Sequence, residues 1–179
     1  MDVLHAIAER YSYRESFKNE PISRDNLKKI VEAGLQAPSG CNAQTTTFVI
    51  VDEPDLVKKI GGMHTMKAMQ NAQALICCIN DVNPQAVYEG YEFQTEDCAA
   101  AVENILLTIT SLGYASVWID GWLRLENRAE AIGKMLNVPE GKIIRIILPI
   151  GIPDEKGPRK EKKPFHERAW FNTYHRTID

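Results

Sequence analysis

The chain reads as an α+β protein, one domain over residues 1–179, and three observations carry that expectation. Segments with apolar residues at helical spacing alternate with short runs rich in β-branched residues, and each kind occurs several times. With 179 residues and a hydrophobic content of 44%, the chain can bury a core of its own. One segment, Thr95 to Leu112, carries little polar surface on any side, as expected of a helix buried in a core or at a subunit interface.

Taken in order, Asp2 caps a short helix whose Val3, Leu4, Ile7 and Ala8 form one apolar face ending near Arg10. Ser23 caps a second helix from Arg24 to Gln36, in which Leu27, Ile30, Val31, Gly34 and Leu35 recur at helical spacing. Pro38 biases Ala37 out of the α region and closes that helix. Thr45 to Val51 then reads as a buried strand. Pro54 opens a short helix that stops at Gly61-Gly62. The methionines of Met63 to Gln70 are either core filler or the lining of a flat ligand site. Ala74 to Ile79 is a second buried strand. The excursion from Asp81 to Gln94 carries Tyr88, Tyr91 and Phe93, and long loops of this kind often cover a site. Gly113 stops the long helix, Tyr114 to Ile119 is a third strand, Arg128 to Leu136 a further helix, and Lys142 to Ile150 the last strand. From about residue 152 the chain becomes charged, Pro-containing and extended. Aromatic residues return between Phe165 and Tyr174, as though this tail docks.

A net charge of −3 gives no general case for nucleic acid, and no apolar run approaches the ~18 residues of a membrane span. The start, Met1-Asp2-Val3-Leu4-His5, is unlike a signal peptide, so a cytoplasmic location is expected. Cys41, Cys77, Cys78 and Cys98 form no C-x-x-C pair and lie at no metal-ligand spacing, which makes them free thiols. A nucleophilic Cys41 would need a base, but His5, His64, His166 and His175 stand in no recognisable arrangement with it.

Two loops remain as site candidates. In Arg10-Tyr11-Ser12-Tyr13-Arg14 the guanidiniums either serve the end of the first helix or clamp a phosphate, with Ser12 adding a donor. Ala37 to Gln44 is either an ordinary helix-to-strand turn or a ligand loop, where Ser39 and Asn42 supply polar side chains and Gly40 permits close backbone approach. Gly121, at the end of the third strand, has the same pair of readings.

In order and spacing these elements resemble the nitroreductase family. Its Arg-x-Ser-x-Arg-like opening matches Arg10 to Arg14, and its Pro-Ser-Ser-x-Asn-x-Gln-Pro-Trp-like loop matches Pro38 to Thr46. The likeness continues through Asp97 to Asn104, Leu112 to Gly121, and Pro149-Ile150-Gly151 with its basic tail. The resemblance implies a mixed central sheet flanked by helices and a homodimer that holds FMN at the subunit interface, with the tail docking on the partner. It implies that Arg10, Tyr11, Ser12 and one or two of Lys160 and Lys162 hold the phosphate and ribityl chain, that Arg14 faces the pyrimidine edge, and that Lys67 reaches the flavin. Pro38, Ser39, Gly40 and Asn42 would come from the partner subunit, and the backbone of Asp120 and Gly121 would address flavin N5. No catalytic side chain and no metal are implied, because the chemistry belongs to the FMN. NAD(P)H would reduce the flavin, and a nitroaromatic, quinone or similar electron-poor acceptor would then reoxidise it. The departures are Gly40 in place of the loop's second serine and Thr45-Thr46 in place of Pro-Trp. A flavin-sequestering or sensing protein without turnover, and a colourless dimeric interaction domain, are the readings that compete.

Overall fold

The structure, a computed structural model, describes residues 1–174. Its helices are α1 (Val3–Glu9), α2 (Arg24–Leu35), α3 (Pro54–Gly61), α4 (Lys67–Gln70), α5 (Gln94–Ser111) and α6 (Arg128–Met135). Its strands are β1 (Thr47–Val51), β2 (Ala74–Asp81), β3 (Ala115–Ser116) and β4 (Lys142–Gly151). The caps follow the sequence signals. Asp2 accepts from the His5 N–H at 2.9 Å, Ser23 accepts from Asn26, and Glu53 accepts from Asp55 and Leu56 ahead of Pro54. Gly113 follows α5 at φ 81°, the left-handed stop that glycine takes without strain.

The sheet runs β1-β2-β4-β3, with every strand pair antiparallel. The mixed character implied by the resemblance reduces to one isolated parallel bridge, Ser12 to Ser116. Alternation along β2 sends Leu75, Cys77 and Ile79 to a core shared with α3, α4 and α6, and Ala74, Ile76 and Cys78 to a second core under α2 and α5. At Cys78/Ile79 the register with β4 slips. Cys78 pairs with Ile146 and Ile79 with Ile144, so Arg145 is the extra residue of a bulge. That slip places Ile144 and Ile147 in one core and Ile146 in the other.

Several expectations shift. The first strand begins two residues late, because the Thr45 side chain is bonded to Asp97 instead. The third strand keeps only Ala115–Ser116 in its ladder, and Ile119 returns as a single bridge to Ile147. In α1 the apolar face is exposed (Val3 64%, Leu4 74%, Ile7 52%), and Ala6 is the residue that is buried. Met69 is fully buried and Met63 and Met66 pack against the same core, so these methionines are filler. The tail first docks on its own chain. Pro153 bridges Phe17, the Lys18 N–H donates to Ile152, and the Asp154 N–H donates to Ser16. Beyond it Phe165, Phe171 and Tyr174 are exposed.

Candidate functional site

After α1 the chain turns extended at Arg10 and is pinned by the Ser12 bridge and by the Tyr13 N–H donating to Ser116 at 2.9 Å. Tyr13 is fully buried between Tyr11 and Phe17, and its hydroxyl donates to the Ser16 carbonyl. The returning tail meets this segment at Tyr11, whose hydroxyl accepts the Gly157 N–H at 3.2 Å. A Cβ on Gly157 would lie 3.2 Å from the Tyr11 ring and 3.3 Å from Tyr13, so glycine permits the close approach.

Pro158, Arg159, Lys160 and Lys162 thereby join Ile7, Ala8, Arg10, Tyr11, Ser12 and Arg14 around a cavity of about 340 Å³. Its lining carries five cationic side chains and no acidic one. Two carboxylates engage these cations: Glu103 stands 3.5 Å from Arg10, and Glu9 stands 3.2 Å from Arg159. Among the described residues Arg14, Lys160 and Lys162 have no acidic partner, and Arg14 donates to the Ser12 carbonyl. The sequence brought Arg10, Tyr11, Ser12, Arg14, Lys160 and Lys162 forward, and the fold gathers all six. It adds Arg159, which lies over the Tyr11 ring at 5.4 Å and donates to Ala8. Only the charge of the tail pointed to it, because the stacking joins opposite ends of the chain. Lys67 is not in the lining; it is paired with Glu15 at 2.9 Å, while the next N–H, of Ala68, donates to the Arg14 carbonyl.

The loop at 38–44 is held apart from this cavity. Cys41, Asn42 and Gln44 all take left-handed φ (49°, 55° and 51°), a conformation that costs a non-glycine residue on the order of 1 kcal/mol. Asp97, at the start of α5 and 7% exposed, supports the loop by accepting the Gly40 N–H at 2.8 Å and the Thr45 hydroxyl at 3.1 Å. Ser39 accepts the Gln44 N–H at 3.0 Å. Pro38 and Ser39 border a second cavity of about 490 Å³ with Gln44, Thr46 and Asp97, and the two cavities share no lining residue. Gly40 and Asn42 border neither.

The Gly40 departure has a packing cause: a Cβ there would fall 2.5 Å from the Phe93 ring. Gly40→Ser is therefore expected to lower stability by about 1–3 kcal/mol, as overpacking does. In denaturant melts the cost should shrink when Phe93→Ala is already present, and additive costs would exclude the clash.

At the third element the Asp120 carboxylate is gripped by Arg124 at 2.7 and 2.9 Å and by the bulged Arg145 at 2.9 Å. A Cβ at Gly121 would have no neighbouring atom of the described residues within 4 Å, and the Gly121 carbonyl accepts the Arg124 N–H at 3.3 Å. Trp122 follows, with the His64 ring 4.7 Å and the Arg128 guanidinium 4.9 Å from its centre. Burial, and then the charge of Arg128, hold His64 below the usual imidazole pKa. Cys77 is pushed up to about 12 by burial and is a neutral thiol. Cys41 is exposed, Cys78 and Cys98 are buried, and all four cysteines are free. No cluster of metal-ligating side chains occurs among the described residues, and His175 lies outside them.

The description "Nitroreductase family" fits this chain over residues 7–152. A protein of Archaeoglobus fulgidus named as an NADH dehydrogenase/NAD(P)H nitroreductase is 33% identical over 152 residues, covering 84% of this chain and 82% of its own length. The crystal structure of a Bacteroides thetaiotaomicron protein named in the same way superposes with a TM-score of 0.80 at 26% identity, covering 96% of this chain and 98% of that one. An FMN-dependent nitroreductase of Clostridium difficile gives 0.79 at 25% identity, covering 96% and 99%. The fold is thus shared with these proteins over nearly the whole chain, and the chain belongs to the nitroreductase family.

Proposed function

We propose that this protein is an FMN-dependent oxidoreductase that takes hydride from NAD(P)H and passes it to nitroaromatic, quinone or similar electron-poor acceptors. The observation that carries the reading is the cavity between the Arg10–Arg14 segment and the tail, where five cations and no acid line a space of about 340 Å³. That donor set suits a phosphate dianion, which accepts charge-assisted hydrogen bonds from guanidinium and ammonium groups. Bound FMN supplies the hydride chemistry, while the chain binds and orients it. Arg10, Tyr11, Ser12, Lys160 and Lys162 hold its phosphate and ribityl chain, and Arg14 meets the ring edge. The backbone N–H groups of Asp120 and Gly121 would address the reacting nitrogen, and Lys67, paired with Glu15, would reach the flavin from α4.

The 38–44 loop borders a separate cavity within one chain, which favours a single domain that completes its site as a homodimer, with Pro38, Ser39, Gly40 and Asn42 supplied by the partner. The exposed Val3, Leu4 and Ile7 of α1 and the exposed Phe165, Phe171 and Tyr174 of the tail are apolar surface for that contact. Sedimentation at low micromolar concentration should give twice the chain mass of 20.2 kDa. A folded, FMN-loaded monomer would exclude the shared site. No helix of the described residues is long and apolar enough to cross a membrane, and the cytoplasm is the proposed location.

The experiment is an absorption spectrum of purified protein with FMN, before and after anaerobic NADH or NADPH. A flavin spectrum that bleaches supports the oxidoreductase. Bound flavin that neither nucleotide reduces would indicate a sequestering protein, and a protein that stays colourless would exclude both.

A further inference from the structure

His64 belongs to neither cavity, yet it touches the supports of two proposed flavin-facing elements. Its Nδ1 accepts the Met66 N–H at 2.9 Å, and its carbonyl accepts from the Gln70 side chain at 3.0 Å. These bonds brace both ends of α4, whose cap residue Met66 offers no side-chain bond of its own. From α4 the Ala68 N–H donates to the Arg14 carbonyl at 3.2 Å, and Lys67 pairs with Glu15. The His64 ring packs against Trp122, the residue after Gly121, and Arg128 donates to the Trp122 carbonyl at 3.1 Å.

We propose that His64 is a positioning residue that ties the Arg14 segment to the Asp120-Gly121-Trp122 turn, through Nδ1 on α4 and through its ring on Trp122. The proposal rests on the flavin reading above. The neutral imidazole is the form that accepts at Nδ1, with its proton on Nε2. Burial and the nearby Arg128 charge both favour that form. Losing the acceptor leaves a part-buried N–H without its partner and frees the turn that holds Arg14.

The test compares His64→Phe, which keeps a ring for Trp122 but has no acceptor, with His64→Asn, whose amide oxygen takes the place of Nδ1. His64→Ala is measured beside them, so that the lost acceptor is still read if the phenylalanine variant fails to fold. In flavin-free protein, amide exchange at Met66 and Ala68 should quicken in the Phe and Ala variants and stay near wild type in the Asn variant. FMN binding should weaken about three- to tenfold in the first two and recover in the third. Unchanged exchange and affinity in the Phe and Ala variants overturn the role, as does an Asn variant as loose as they are. A wild type that takes up no FMN overturns the function reading instead, and the exchange comparison still decides the role of His64 on α4.

Discussion

Arg10→Ala is expected to weaken FMN binding about tenfold or more, through loss of a charge-assisted phosphate contact worth roughly 1.5 to 3 kcal/mol. In the free protein Arg10 is three-quarters buried and faces Glu103 at 3.5 Å, so binding exchanges a carboxylate partner for a phosphate. The variant also leaves Glu103 without that cation, which adds a negative group near the cavity and works in the same direction. Riboflavin lacks the phosphate and should bind wild type and variant almost equally. Calorimetric titration with both ligands checks this, and an equal loss for riboflavin and FMN would make Arg10 a structural residue.

Arg14→Gln should act on the flavin ring instead. Two-electron reduction leaves negative charge near N1 and O2, and a cation at that edge favours the reduced form. Losing roughly 1.5 to 3 kcal/mol of that preference lowers the potential by about 30 to 60 mV. Arg14 is suited to the role because its side chain is exposed and, among the described residues, its guanidinium donates only to the Ser12 carbonyl. Its guanidinium is therefore free of a carboxylate that would offset the charge. Arg10→Ala should shift the potential far less, because the phosphate charge does not change with redox state. An anaerobic dye-equilibrated titration of both variants measures this, and an unchanged potential in Arg14→Gln would remove Arg14 from the ring.

The sequence by itself determined the elements whose signals are local. Ser23 and Pro38 bracket α2, Gly113 ends α5, and the unbroken apolar run of β2 marks a strand covered on both faces. Arg10, Ser12 and Arg14 of the cation-lined cavity were also legible there, because they fall within five residues, while the tail lysines Lys160 and Lys162 came forward only through the resemblance to the family. Only the tertiary structure decided that Arg159 stacks on Tyr11, that Phe93 fills the space a side chain at 40 would need, and that Asp97 holds the strained loop. The same is true of Arg145, which reaches Asp120 because the β2–β4 register slips by one residue, and of His64, whose partners lie on α4 and beside Gly121. Helix spacing, caps and charge depend on residues a few positions apart, so the sequence displays them directly. A bulge, a stacking pair or a clash depends on which distant side chains the packed core brings within a few ångströms, and that choice is made only when both faces of the sheet are filled together.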